Sequence, residues 1–373
     1  MKLLIVTAID PYTLKPGGTE SYVMNLINSI KNYNIEVTMI GISQRQNHTQ
    51  PNFNFISINK NSKISNYKFL LTLLLKAPFL KIPKSAVIHV QRPDMMLPFI
   101  LYFKNNKKIC TLHGLPANGI FLKKGKLIGK MYLLIEKYCL KNADALIAVS
   151  EETKFRYMQE YPWIQRKVNT ISIGFDEKKF RLMDKNEMRK KYKFNLDDKI
   201  VLYAGRFEKE KNLDFLLKSF SLVAKKNLGS KLILVGSGRE KEKLQILSKE
   251  LKIDTNFLNP VEQDILAELI NCADVFALTS TYESGPLAVL ESLACGVPVV
   301  TTDVGRVREF IVTEKCGRIV KRDERKFANA IDEILNYPNK KNKDLCRQIV
   351  INFSFNVTAK KTVELYRLVN SEN

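Results

Sequence analysis

The sequence predicts an α/β protein made of two doubly wound parallel sheets, and three observations predict it. Its 373 residues are about twice a typical domain. Short β-branched runs without polar alternation recur along the chain, separated mostly by amphipathic segments, and such runs read as buried parallel strands. The pattern then restarts after a charged, strand-poor stretch, EKKFRLMDKNEMRKKYKFNLDDK (Glu177–Lys199), so the two halves read alike. The boundary is placed near residue 180. This gives Rossmann-like domains over 1–180 and 181–354, with a last helix over 355–370 folding back onto the first. Ligands of such sheets collect at the carboxyl ends of the strands, so two facing sheets are expected to share an interdomain cleft.

In chain order, the first half offers strands in KLLIVTAI (Lys2–Ile9), IEVTMIGIS (Ile35–Ser43), FNFISI (Phe53–Ile58), AVIHV (Ala86–Val90), KKICTLH (Lys107–His113), ALIAVS (Ala145–Ser150) and VNTISI (Val168–Ile173). The second offers KIVLYAGR (Lys199–Arg206), KLILVG (Lys231–Gly236), TNFL (Thr255–Leu258), DVFALT (Asp274–Thr279), VPVVTT (Val297–Thr302) and GRIV (Gly317–Val320). No repeat or low-complexity tract interrupts them.

No uninterrupted apolar stretch reaches about 18 residues, and the first residues read as a strand without a basic leader. Neither a membrane span nor a signal peptide is therefore expected. The six cysteines are widely spaced and form no CxxC pair, which fits reduced thiols in a cytoplasmic protein better than disulfides or zinc. The net charge of +22 is concentrated as +15 over residues 1–180 and +7 over 181–373. A basic half suits nucleic acid, an anionic membrane surface or an acidic substrate; a lysine-rich background usage accounts for it equally.

Four segments carry chemistry. After the first strand, Gly17 and Gly18 precede a helix whose unpaired N–H groups suit an anion, although many αβ turns use glycine for packing alone. In YAGRFEKEKN, Arg206 and Lys211 follow a strand that ends at Gly205; a fixed fork and a mobile ammonium suit phosphate, and a solvated charge run is the plain alternative. In ESGPLAVLES, Pro286 is placed in the first turn of a helix, freeing the N–H groups of Leu287 and Ala288 for a phosphate or sugar. Glu291 lies roughly 7 to 8 Å further along that helix, at a spacing that suits a ribose beside a diphosphate. The alternative for Glu291 is a helix carboxylate paired with a nearby Lys or Arg. Finally, Gly236 and Gly238 stand between a strand and a helix, but the third glycine of a dinucleotide fingerprint is missing. Of three histidines, His89 and His113 close apolar runs and each is either cleft-facing or a satisfied core residue. Isolated histidines make a metal site improbable.

Taken in order, GGTE, TLHG, AVSEETK, ISIGFD, YAGRFEKEKN, LVGSGRE, ESGPLAVLESLACGVPVVTTDVG, CGRIV and FSFNVTAKKTVELY resemble the GT4-type retaining glycosyltransferases of the GT-B fold over nearly the whole chain. The resemblance implies that Gly17 and Gly18 approach the donor diphosphate or acceptor. It also implies that Arg206 and Lys211 hold the diphosphate and that Glu291 receives the ribose hydroxyls. Glu283 would touch the transferred sugar, His113 would stand beside the reacting sugar, and Asn259 to Val261 would frame the base. Gly205, Gly236, Leu287 and Ala288 complete the expected donor site. Many members carry an aromatic residue where this chain has Gly285, which loosens the expected sugar contacts more than the phosphate contacts.

The activity so implied is transfer of a hexosyl-type sugar from a nucleotide diphosphate sugar, with retention, to a glycan or lipid-linked acceptor in cell-surface polysaccharide or glycolipid synthesis. No metal or other cofactor is expected, because cations and helix N–H groups supply the charge that stabilises the leaving phosphate. Tyr67–Pro83 and Gly119–Leu140 mix leucines with lysines as an anionic bilayer surface requires, and equally as an ordinary domain helix does. A nucleic-acid binder would leave Glu283 and Glu291 idle, so no nucleic acid is expected; a sugar-nucleotide epimerase on the same fold is the nearer rival.

Overall fold

The computed structural model describes residues 1–371 except 13–17, 44–48, 51–52, 62–63, 115–124, 284 and 337–342. The chain divides into two units, Met1–Gly174 with Phe355–Asn373, and Phe175–Ser354. The crossings therefore fall at Gly174–Phe175 and Ser354–Phe355.

The first unit holds β1 (Lys2–Val6), β2 (Glu36–Ile42), β3 (Thr49–Gln50), β4 (Phe53–Asn59), β5 (Ala86–Val90), β6 (Lys108–Leu112), β7 (Ala145–Ala148) and β8 (Val168–Thr170) in the order β3-β4-β2-β1-β5-β6-β7-β8. Every pairing is parallel except that of β3 with β4. All seven expected strands are present. β3, a two-residue antiparallel edge, has no apolar run to announce it.

Alternate residues of β1 feed opposite faces, as a pleated strand requires. Leu4 and Val6 pack with Phe69, Leu73, Phe99 and Leu140 from the helices Asn66–Lys76, Leu97–Tyr102 and Lys126–Lys141. Leu3 and Ile5 pack with Tyr22, Val23 and Ile27 of the helix Gly18–Ile30 and with Val363 and Tyr366 of the last helix, Phe355–Ser371.

The second unit holds β9 (Lys199–Ala204), β10 (Ser230–Val235), β11 (Thr255–Leu258), β12 (Val275–Leu278), β13 (Val299–Thr302) and β14 (Gly317–Val320) in the order β11-β10-β9-β12-β13-β14, all parallel. These six strands are the six expected. The charged connector contains one short helix, Lys185–Lys191, capped by Asp184, whose side chain accepts from Glu187 N.

Strand order reverses between β1 and β5 in the first sheet and between β9 and β12 in the second. Loops leaving the carboxyl ends at such points diverge and leave a crevice. Both candidate sites below lie on those loops.

Candidate active site

In the second unit, two connections meet at the β9/β12 reversal. The first runs from β9 through the 3-10 turn Lys209–Lys211 to the helix Leu213–Lys226. Asn212 joins turn to helix in the left-handed conformation, φ 52°, which asparagine tolerates better than most residues. The second runs from β12 to the helix Leu287–Ala294.

They are laced together. Thr279 Oγ1 donates to the Lys211 carbonyl at 3.0 Å, and Thr281 N donates to the Glu210 carbonyl at 2.7 Å. Lys211 Nζ reaches Glu283 Oε1 at 2.7 Å, and Ser280 Oγ donates to the same oxygen at 2.7 Å. Lys211 and Glu283, which the sequence places in separate motifs, are thus one ion pair.

Arg206 is brought to the same connection but faces outward. Its side chain is 69% exposed and pairs with Glu210 at 3.0 Å. Tyr203 OH donates to the Arg206 carbonyl at 3.0 Å and fixes the backbone beneath it.

The glycines act on the backbone. A Cβ at Gly236 would stand 1.9 Å from the Gly205 carbonyl oxygen, and one at Gly238 would stand 2.2 Å from that of Phe207. Phe207 N donates to the Ser237 carbonyl at 2.8 Å, so the loops after β9 and β10 lie in direct backbone contact. Gly236 therefore secures the approach of the Arg206 loop. Gly305, with φ +52°, gives similar close passage to the Glu283 backbone, whose oxygen would be 2.6 Å from an added Cβ.

Pro286 is not in the first turn. With φ −74° and ψ 89° it is the N-cap, and the helix begins at Leu287. That ψ is far from helical, so the chain enters helix one residue later than the proline's fixed φ suggested. The Pro286 carbonyl takes the Val289 N–H at 3.0 Å. The Leu287 and Ala288 N–H groups have no backbone acceptor among the described residues, as the first groups of a helix do not.

Glu291 lies on this helix, partly buried, and no described side chain forms a hydrogen bond or ion pair with it. Among the described residues, then, no Lys or Arg pairs with it. Burial alone pushes its carboxyl up to about 7. Val261 packs partly buried against the unit's core, and Asn259 accepts from Lys241 Nζ at 2.9 Å.

In the first unit, a cavity of about 390 Å³ opens at the β1/β5 reversal, lined in part by Thr7, Thr19, Glu20, Gln91, Arg92 and His113. His113 is partly buried, its Nε2 donates to Gln91 Oε1 at 2.9 Å, and burial lowers its basicity to about 4. It is therefore a neutral imidazole at physiological pH. Arg92 is clamped by Asp94 through two bonds of 3.0 Å.

His89 is wholly enclosed. It bonds Tyr366 OH and Thr111 Oγ1, each at 2.7 Å, which makes it a satisfied core histidine rather than a cleft residue. Gly18 opens the helix Gly18–Ile30, while Gly17 lies outside the described residues. Among the described residues no three His, Cys, Asp or Glu side chains gather as a metal site.

Ser280, Gln91 and Arg92 were missed by sequence reasoning. Ser280 stood three residues from a singled-out glutamate, which was a usable signal. Gln91 had none beyond following a strand.

A larger hollow, about 810 Å³, lies at the amino ends of the second sheet's strands, lined by residues such as Asp274, Pro298 and Glu314. It shares no residue with the Lys211–Glu283 group.

Two family models match the chain. Residues 184–349 match the family model described as glycosyl transferases group 1, and residues 16–179 match that of glycosyltransferase family 4. An uncharacterised glycosyltransferase of Methanocaldococcus jannaschii is 25% identical over 99% of this chain and 98% of its own length. The solved sucrose-phosphate synthase of Thermosynechococcus elongatus superposes with a TM-score of 0.80 at 23% identity, covering 100% of both chains. Anabaena HepE, solved in complex with UDP and glucose, gives a TM-score of 0.75 at 16% identity, covering 98% of this chain and 99% of that one.

Proposed function

Because this chain belongs to the GT4-type glycosyltransferases of GT-B fold, we propose that it moves a hexosyl-type sugar from a nucleotide diphosphate sugar to a glycan or lipid-linked acceptor, retaining the anomeric configuration. The observation that carries this reading is the convergence of Lys211 and Glu283 at the β9/β12 reversal, 2.7 Å apart, with Glu283 on the connection that leads into the helix bearing Glu291.

The residues divide the work. Charge builds on the departing phosphate as the anomeric C–O bond breaks. Lys211, Arg206 and the free N–H groups of Leu287 and Ala288 stabilise it, and each such donor is worth about a hundredfold or more in rate. The donor's phosphate takes over Lys211, and Glu283, released from it, accepts hydroxyls of the transferred sugar. Glu291 receives the ribose. Positive charge comes from the protein's own side chains, so no metal ion is needed for this step. The acceptor hydroxyl attacks on the face the phosphate leaves, and its proton passes to that phosphate; no covalent enzyme intermediate is involved.

HepE, captured with UDP, supports a uridine nucleotide as the first donor to test. A thermal-shift panel of UDP-, GDP- and ADP-sugars on the intact protein and on Glu291→Ala decides the donor, with stabilisation of the intact protein expected to exceed that of the variant. Product NMR reads the anomeric centre, and inversion overturns the proposed chemistry. Turnover of the sugar nucleotide without acceptor marks an epimerase instead.

The reading extends to an anionic bilayer surface in the synthesis of surface polysaccharide or glycolipid, at the inner face of the cell membrane. The helices Asn66–Lys76 and Lys126–Lys141 cover the same face of the first sheet and leave Leu75, Leu127 and Leu134 at least 70% exposed among lysines. Apolar anchors flanked by cations suit such a surface. Among the described residues no helix is long and apolar enough to cross a membrane. Cosedimentation with anionic liposomes at low salt tests this, and a protein that stays in the supernatant overturns it.

A further inference from the structure

We infer that Gln91 is a positioning residue that fixes the tautomer of His113 and so decides which ring nitrogen meets the bound sugar. The identity of that sugar rests on the glycosyl-transfer reading; the tautomer rests on hydrogen bonds alone.

Gln91 is held where β1 and β5 part, its backbone N–H donating to the Val6 carbonyl at 3.2 Å, and it is 1% exposed. Its amide joins two histidines. Oε1 lies 2.9 Å from His113 Nε2, and Nε2 lies 3.4 Å from His89 Nε2. A carboxamide accepts at one end and donates at the other, so it imposes opposite states on its two neighbours. His113 Nε2 must carry a hydrogen, and His89 Nε2 must be bare.

The two hydroxyls beyond His89 donate or accept, and so follow that direction. A bare His89 Nε2 also takes the Thr111 hydroxyl at 2.7 Å, and the hydrogen then on His89 Nδ1 goes to the Tyr366 oxygen at 2.7 Å. One polarised series runs from His113 through Gln91 and His89 to the last helix. Burial lowers His89 to about 3 and His113 to about 4, so neither ring takes a second proton near neutrality and the direction persists.

His113 Nδ1 is then a bare acceptor with no donor to it among the described residues, on a ring that lines the 390 Å³ cavity. A lone pair there repels phosphate or carboxylate oxygen and receives O–H. The geometry points to a sugar hydroxyl as its partner.

The test is long-range ¹H–¹⁵N correlation on the full chain with labelled histidine, in which three imidazoles are to be resolved and His113→Gln assigns the ring. Wild-type His113 is expected to show a protonated Nε2 and a bare Nδ1. In Gln91→Glu the carboxylate accepts the same hydrogen, so the tautomer is retained while the His113 pKa climbs from about 4 toward the ordinary value near 6.5. In Gln91→Met the two nitrogens average. A protonated Nδ1 in the wild type, or an unmoved pKa in Gln91→Glu, overturns the inference. So does an unaveraged ring in a folded Gln91→Met; should that variant unfold, Gln91→Glu decides alone. A protein that passes these tests yet binds no sugar nucleotide sinks the glycosyl-transfer reading and leaves the tautomer assignment standing.

Discussion

Lys211 and Glu283 neutralise each other across 2.7 Å, each side chain only 15% exposed, at the point where the second sheet reverses its strand order. Removing one partner leaves a poorly solvated charge. Lys211→Met is expected to cut transfer about a hundredfold or more and to lower stability by about 2 kcal/mol. Adding Glu283→Gln should restore part of the stability and none of the activity. Chemical denaturation of the two single variants and the double variant, with kcat/KM alongside, measures the coupling.

Glu291 carries a stability cost with a defined sign. Its folded-state carboxyl, raised to about 7 by burial, is above the ordinary value near 4.3. The stabilisation it gives is complete below that ordinary value and is lost as pH rises through about 7. Glu291→Gln should therefore match the wild type at pH 4 and exceed it above pH 7, by up to about 3 kcal/mol. Melting temperatures across that window decide it. A wild type as stable as the variant at high pH would show that the carboxyl is not held in an adverse setting.

His89 and His113 work in the other direction. His113 at about 4 and His89 at about 3 sit below the ordinary value near 6.5, so their contribution is complete above 6.5 and is lost as pH falls through 4 and then 3. Urea midpoints should fall on acidification over this range. In His113→Gln the fall between 6.5 and 4 should be smaller by about 3 kcal/mol.

Two glycines near the site should behave oppositely. Gly236→Ala drives a methyl to 1.9 Å from the Gly205 carbonyl and must displace the Arg206 loop, whereas a Cβ at Gly285 meets nothing within 4 Å. Gly236→Ala is expected to cost about 1–3 kcal/mol or more and to weaken donor binding. Gly285→Ala should change stability by less than about 0.5 kcal/mol. Calorimetry with and without the donor separates the two effects.

The strands were legible because buried parallel strands are written as continuous apolar runs, and KLLIV and KIVLYA needed no partner to be recognised. Arg206 and Lys211 were legible as cations after a strand. Their pairings were not: Glu210 was read as part of a charge run, and Lys211 and Glu283 stand 72 positions apart. Gln91 was invisible for the same reason, since its meaning lies in two histidines contributed by different strands. Pro286 was misplaced by one position, because a proline's φ suits both the N-cap and the first turn and only ψ separates them.

The chain leaves the first unit at Gly174 and returns to it at Phe355, so Tyr366, the buried partner of His89, is made only after the whole of the second unit. During synthesis the amino-terminal sheet must wait on the ribosome with part of one face uncovered, while the second unit, continuous in sequence, is free to fold first. A nascent chain released early would be missing the helix that closes its oldest core, and quality-control proteases would meet it as an unfinished domain.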